Sequence, residues 1–480
     1  MKRFALSGAG LLLSACATLA PSGPTGLVQT ITGAVQGVSA DGITVFKGIP
    51  YAAPPVGNLR WRAPAPTRWV GVLDAAEFGP ACVQPLTDDG SPNLGGYSGP
   101  VSEDCLHLNI WAPDNAENAP VMVWLFGGGG GVVGSGSVPT YDGTSFARDG
   151  IVLVTIDYRL GGLGGWAHPV LTAEKAGGPN ADYALMDAMA ALRWVRSNAE
   201  RFGGDPDNVT LFGESAGATM TANLVRSPMA KGLFAKAIFQ STGSLPTPGT
   251  PLAVAEERGE RSAAALGLPD ATADRLRALP ADRFLSDRAA GFGLRTIIDG
   301  VVKEASIMEV FEAGEENDVM LMLGTNSDEG RLVGTQRVAE LAESGTPVFQ
   351  YFFDYVPEAL RSRNPNGAPH AGELPFVFDT LATYQPLQGD AAAGIEEGRP
   401  ATRHDQSVAD LVHGCWVAFA MAAPAATQLD CGKGFSWPAR SVDNEHAVAW
   451  LGDYPRIVDA ASLRSPPNGA EPGRTWRDEE

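Results

Sequence analysis

Gly213-Glu214-Ser215-Ala216-Gly217 is the segment of this chain best suited to covalent chemistry. A serine hydroxyl is a weak nucleophile until it is exposed and given a base. The run Val209-Thr210-Leu211-Phe212 before it has strand character, and Ala218 to Val225 after it reads as a helix. Ser215 therefore falls on a sharp strand-to-helix turn, which lifts its Oγ out of the backbone and into a cleft. Glycine on either side keeps so tight a turn from colliding with the neighbouring strand or helix. The N-terminus of the following helix favours the anion that forms when a carbonyl carbon is attacked. The chemistry this suggests is acyl transfer. With 58 glycines in the chain the pentapeptide alone is a weak signal, and the flanking strand and helix give it weight.

A second segment reads in two ways. Gly127 to Gly131 followed by Gly134 contains a Gly-x-Gly-x-x-Gly match at Gly129, Gly131 and Gly134, with Asp157 closing the next strand. A dinucleotide-binding fingerprint looks like this. It must, however, open a helix whose N-terminus holds the pyrophosphate. The chain instead continues Gly134-Ser135-Gly136-Ser137-Val138-Pro139, which cannot start a long amphipathic helix. The oxidoreductase reading is set aside, and no cofactor is expected. The other reading is an oxyanion hole, because bare backbone N–H groups at the C-terminal edge of a strand can face a developing O⁻ unhindered. Losing one such donor costs about 3 kcal/mol of barrier.

The elements that must position these segments follow the same pattern along the chain. Gln29 to Tyr51 reads as short strands broken by glycine, and a Pro- and Gly-rich loop runs from Ala52 to Pro100. Strand-length apolar segments follow at Leu106–Trp111, Val121–Phe126, Ile151–Ile156, Val209–Phe212, Ala237–Gln240, Val319–Leu323 and Val348–Phe353. Helical stretches are expected at Tyr183 to Phe202, Val254–Ala265, Val338–Glu343 and Val408–Ala423. Apolar strands alternating with helices predict an α/β protein with a mostly parallel central sheet flanked by helices.

Charge and targeting bound the class. The formal charge of −20 over 480 residues, with no Lys/Arg cluster, argues against a nucleic-acid partner. Lys2 and Arg3 precede an apolar stretch from Phe4 to Leu13, too short to span a bilayer and typical of an export signal. It ends Leu13-Ser14-Ala15-Cys16, which looks like a bacterial lipobox. The expectation is a signal segment over residues 1–15, lipid on Cys16, and one catalytic domain over 16–480 behind a short tether. Cleavage after Ala20 without lipid is the alternative, disfavoured by Pro21. The protein is thus expected to be exported, periplasmic or outer-membrane, with membrane contact only through Cys16. Four further cysteines, Cys82, Cys105, Cys415 and Cys431, allow three pairings. Proximity favours Cys82–Cys105 and Cys415–Cys431, each closing a loop of about twenty residues, which stabilises by roughly 3 kcal/mol. No spacing resembles a metal site.

Several motifs together resemble the type-B carboxylesterases, the branch of the α/β-hydrolases that includes cholinesterases. Glu103-Asp104-Cys105-Leu106-His107-Leu108-Asn109 is similar to one family signature, and Phe212 to Gly217 to the nucleophile signature. Phe46 to Ala52, Phe202 to Pro206, Gly324 to Gly330 and His370-Ala371-Gly372-Glu373-Leu374 also fit, in the family's order. The resemblance implies an α/β-hydrolase fold and carboxylic ester hydrolysis of a small-molecule ester. It implies Ser215 as nucleophile, Glu329 as triad acid and His370 as base, the chain order that topology demands. It implies Cys82–Cys105 as the first disulfide, and Gly128, Gly129 and Ala216 as oxyanion donors. The fifth consecutive glycine leaves that register open by one, so that Gly130 could replace Gly128. His404, His413 and His446 compete with His370, and His413, inside a helical pattern, reads as structural. Only about forty residues separate Glu329 from His370, implying a shortened helical cap. A silent binding or adhesion module, and an amidase or peptidase, are the rival functions. Retention of Ser215, Glu329 and His370 argues against the first, and a triad alone does not exclude the second.

Overall fold

The computed structural model describes residues 26–175, 177–242, 245, 248–285, 297–329, 333–342, 345–382, 401–444 and 446–463. The expectations for Cys16 and the segment 1–15 lie outside the described residues. Eleven strands form the main sheet, numbered here in chain order: β1 Val38–Ala40, β2 Ile43–Pro50, β3 His107–Pro113, β4 Ala119–Leu125, β5 Val152–Ile156, β6 Gly204–Glu214, β7 Lys236–Gln240, β8 Met320–Asn326, β9 Val348–Phe353, β10 Val448–Leu451 and β11 Arg456–Val458. Their spatial order is β11-β10-β9-β8-β7-β6-β4-β5-β3-β2-β1. The pairings from β5 through β10 are parallel, and the antiparallel ones are confined to the two edges. The mostly parallel sheet read from the sequence is therefore its centre.

Burial explains why the central strands read as unbroken apolar runs. Every residue of β5, β7, β8 and β9 is buried, as is the stretch of β6 from Val209 to Glu214, so both faces of the sheet are covered. The covering helices include α1 Tyr183–Asn198, α2 Ala216–Arg226, α4 Val333–Ala342 and α5 Arg403–Met421, while α3 Leu252–Ala265 packs on the small strand pair Thr250–Pro251 and Ile297–Ile298. α1, α2 and α5 all pack on β6. Between β4 and β6 an aromatic cluster fixes the two strands that end at the site. The Trp124 ring lies 4.7 Å from Phe212 and 5.0 Å from Phe378. Full burial of side chains of this size stabilises by roughly 1.5–3 kcal/mol each.

Four differences from the sequence reading are physical. The two edge strands β10 and β11 escape it because runs of 4 and 3 residues carry too little period-2 signal. α4 starts five residues before the expected Val338, since its first turn, Val333 to Gln336, holds little apolar pattern. β8 runs on to Asn326, past the expected Leu323. The stretch after Asn198 tightens into a 3-10 turn, Ala199–Phe202. Both proximity disulfides form: Cys82–Cys105 with Cα atoms 4.9 Å apart, and Cys415–Cys431 at 4.3 Å, the latter joining α5 to the chain beyond it. Among the described residues no helix is long and apolar enough to cross a membrane.

Candidate active site

Ser215 stands between β6 and α2 with φ 54° and ψ −117°. A serine in this region is strained by about 1–3 kcal/mol and persists only where its surroundings dictate it. Here they do. The Ser215 N–H donates to the Gln240 carbonyl at 2.9 Å, and the Thr219 N–H closes the first helical turn onto the Ser215 carbonyl at 2.9 Å. The flanking glycines are required sterically. A Cβ on Gly217 would lie 1.9 Å from the Leu125 carbonyl oxygen, and one on Gly213 would lie 2.5 Å from the Gly217 carbonyl carbon.

The Glu329 carboxylate comes from the end of β8. Past Asn326 the chain makes a 3-10 turn, Ser327–Glu329, which brings the Glu329 carboxylate back over the strand end. It accepts from the Asn326 N–H at 2.9 Å and from the Thr325 hydroxyl. Its other oxygen meets Nδ1 of His370. His370 lies in the loop after β9, and that loop is stitched to the Ser327–Glu329 turn. The Ala368 N–H donates to the Ser327 hydroxyl at 2.8 Å, and the Asp328 N–H to the Ala368 carbonyl at 3.0 Å. Asn326 Nδ2 donates to the Pro369 carbonyl at 2.7 Å and to Glu373 at 2.6 Å.

Three carboxylates surround this imidazole. Nε2 of His370 lies 3.1 Å from Glu214 Oε1, opposite Glu329. Burial opposes a charge on the ring, but Glu214, then the hydrogen bond and charge of Glu329, then Glu373, outweigh it and push its pKa up to about 10. Burial would raise the Glu329 carboxyl, yet its bonds from His370, Thr325 and Asn326 leave it below the usual range. Glu373 is fully buried, and burial raises its carboxyl despite the bonds from Asn326 and Gln240. Sequence alone marks neither Glu214 nor Glu373 as part of the site. Both lie in the quoted motifs, one beside Ser215 and one three residues past His370, but only the fold brings Glu214 against the ring and buries Glu373 against Asn326 and Gln240.

The competing histidines are elsewhere. His413 in α5 is buried, with Nδ1 2.7 Å from the Val377 carbonyl and Nε2 3.3 Å from Asp149. His404 is on the surface with Nε2 3.0 Å from Asp453.

The glycine run forms a loop at the end of β4. A Cβ on Gly127 would lie 2.9 Å from Ser215 Cβ and 2.5 Å from Glu214 Oε2, so the loop begins flush against the Ser215 turn. Gly128, Gly129, Gly130 and Gly131 all take positive φ, at 131°, 56°, 79° and 83°. The Gly131 and Val132 N–H groups turn inward to the Gly128 carbonyl, at 2.9 and 3.2 Å. Ala216 opens α2, directly after Ser215.

The sequence model of the Carboxylesterase family matches residues 24–339, which include Ser215 and Glu329. Fumonisin B1 esterase of Sphingopyxis macrogoltabida is 35% identical, over 85% of this chain and 84% of that protein. Para-nitrobenzyl esterase of Bacillus subtilis (strain 168) is 33% identical, over 86% of this chain and 92% of that one. A solved PNB esterase superposes with a TM-score of 0.77 at 30% identity, covering 92% of this chain and 99% of its own. With the α/β-hydrolase fold of those structures and esterase relatives along most of its length, the chain belongs to the carboxylesterase family and is a carboxylic ester hydrolase.

Proposed function

We propose that hydrolysis runs through an acyl-enzyme on Ser215, with His370 as base, Glu329 as its orienting acid, and the N–H groups of Gly128, Gly129 and Ala216 as oxyanion donors. The observation that carries this is the meeting of Glu329 with His370 at the strand ends, with His370 Nε2 3.1 Å from Glu214, the residue before the strained serine. Ser215 Oγ attacks the ester carbonyl while its proton passes to His370 Nε2. The oxyanion is held by the backbone donors, and His370 returns the proton to the departing alcohol. Water then repeats the sequence on the acyl-enzyme and releases the acid. The contact of Gly127 with Ser215 supports donors at the start of the glycine run, and the Gly131 N–H is occupied within the loop. The test is ester hydrolysis by the Ser215→Ala variant.

Glu214 sets the pH at which this base works. His370 must be neutral to accept a proton, and a ring with a raised pKa stays protonated until the pH climbs past it. The acidic limb of kcat/KM should therefore lie above the ordinary histidine value of about 6.5. Glu214→Gln removes the largest charge contribution raising the ring, and should move that limb to lower pH. A pH–rate profile of both enzymes checks this, and a limb that stays in place refutes it.

The same reading extends to broad, bulky esters. Between Glu329 and His370 the described residues contain one α-helix, α4, and a single 3-10 turn, Glu358–Leu360, and the His370 side chain is 40% exposed, so little wall covers the site. The relatives bear the names of substrates as different as fumonisin B1 and para-nitrobenzyl esters. Fewer contacts mean weaker selection between acyl groups. Across acetyl, butyryl, octanoyl and aromatic esters of one alcohol, kcat/KM should change gradually. A drop of about a thousandfold between neighbours, roughly 4 kcal/mol, would contradict it.

Export and anchoring through Cys16 are part of the proposal. Basic Lys2 and Arg3, the apolar stretch and Leu13-Ser14-Ala15-Cys16 support a lipoprotein of the periplasm or outer membrane. A fatty-acid probe fed to a bacterial host should label the wild type and leave Cys16→Ser unlabelled. Equal labelling of both would rule the anchor out.

A further inference from the structure

A run of glycines supplies backbone donors but nothing to hold them. Residues 128 to 131 all sit at positive φ, and glycine carries the largest conformational entropy of any residue. Donors stabilise a developing charge efficiently only if they are fixed beforehand. The restraint must come from outside the run. At its start Gly127 presses on Glu214 and Ser215. At its far end the structure shows a clasp.

Gln84 is buried, and its side-chain amide bonds both backbone groups of Gly134. The Gly134 N–H donates to Oε1 at 2.7 Å, and Nε2 donates to the Gly134 carbonyl at 2.8 Å. Nε2 also donates to the Cys82 carbonyl at 3.1 Å, and Oε1 also accepts from Asn93 Nδ2 at 2.9 Å. Gln84 thus stands in for a peptide unit of a neighbouring strand. Its own backbone is anchored two residues away by the Cys82–Cys105 disulfide, which ties it to the chain entering β3. The same disulfide-closed segment lies flush on the glycine loop, since a Cβ on Gly95 would sit 2.6 Å from the Gly134 Cα. Gly134 in turn is wedged against the loop's beginning. A Cβ there would meet the Gly127 carbonyl oxygen at 2.7 Å and Phe126 Cδ2 at 2.6 Å. A shift of Gly134 is therefore felt at Gly127, next to Ser215.

We infer that Gln84 is a positioning residue for ester hydrolysis, clasping Gly134 so that the Gly128 and Gly129 amides are held where the oxyanion forms. This rests on the assignment of those amides as donors. A loosened loop weakens binding of the tetrahedral oxyanion more than that of the ester itself. Loss of the clasp therefore acts on kcat and spares KM.

Two variants test it. Gln84→Met keeps the length of the side chain and loses the clasp. Gln84→Glu keeps the acceptor for the Gly134 N–H and for Asn93, and loses the donor. With a nitrophenyl butyrate, Gln84→Met should lose about ten- to a hundredfold in kcat, less than removal of a whole donor, with KM nearly unchanged. Gln84→Glu should fall between Gln84→Met and wild type. A trifluoromethyl ketone gives the readout that mere stability would not move. Ser215 Oγ adds to its carbonyl carbon, the serine proton passes to His370, and the carbonyl oxygen becomes the oxyanion. Its affinity should fall in parallel with kcat. If Gln84→Met does not fold, Gln84→Glu alone must show the paired loss in kcat and ketone affinity. Unchanged ketone affinity in a folded variant, or a loss confined to KM, overturns the inference. Labelling wild type with an organophosphonate separates the two levels. If Ser215 is not the labelled serine, the site assignment itself fails and the inference falls with it. If Ser215 is labelled while the variants keep full kcat and ketone affinity, only the role of Gln84 is refuted.

Discussion

Ser215→Ala should lower kcat/KM for a short-chain nitrophenyl ester by on the order of a millionfold, the scale seen when a serine hydrolase loses its nucleophile. Alanine keeps the φ of 54° and every backbone bond of the turn, so the protein should remain folded. Ser215→Gly sharpens the experiment. Glycine accepts this backbone conformation without strain, so that variant should be equally inactive yet more stable than Ser215→Ala by about 1 kcal/mol. The assay is initial rates beside thermal unfolding of all three proteins. An alanine variant retaining more than a small fraction of turnover would remove Ser215 from the mechanism. A glycine variant less stable than the alanine one would show that the turn holds no strain.

The second large effect separates two histidines by what each touches. His370→Ala should cost several orders of magnitude in kcat/KM, because the proton of Ser215 then has no acceptor held by Glu329. Unfolding should change little, since the ring is partly open to solvent. His413→Ala should do the reverse. That ring is buried 4.5 Å from the Phe146 ring and bonded to the Val377 carbonyl, so its loss leaves a cavity and an unpaired carbonyl worth about 2–4 kcal/mol. Measuring kcat/KM and the urea midpoint for both variants decides. Reversal of the two outcomes would name His413 as the base.

The sequence was most legible where a single physical constraint dominated. Val348–Phe353 coincides with β9 because a strand buried on both faces admits little but apolar residues. The nucleophile turn was readable because Gly213 and Gly217 leave no room for a side chain, so their identity reports the geometry directly. Ser215, Glu329 and His370 came from motif order, and Cys82–Cys105 and Cys415–Cys431 from short separation. What was hidden depends on tertiary approach. Nothing in the pentapeptide says that Glu214 faces Nε2 of a residue far along the chain, or that Glu373 lies buried against Asn326. The clasp from Gln84 to Gly134 spans 50 residues and leaves no periodic mark.

The parallel pairing of β8 with β9, from Leu321 opposite Val348 to Asn326 opposite Phe353, locks the two strand ends that carry Glu329 and His370. The chain between those strands, α4 included, contributes nothing to that register. Each doubling of a flexible connection costs only about 0.6 kcal/mol of closure entropy. Insertions between Glu329 and Val333, on the side of the sheet where β8 ends, would therefore add walls or lids over the cleft at small thermodynamic cost, with the strand register untouched. Reaction and selectivity are encoded on separable stretches of this polypeptide. New substrate preferences can thus be acquired by lengthening one connection, without revisiting the strands that make bond cleavage possible.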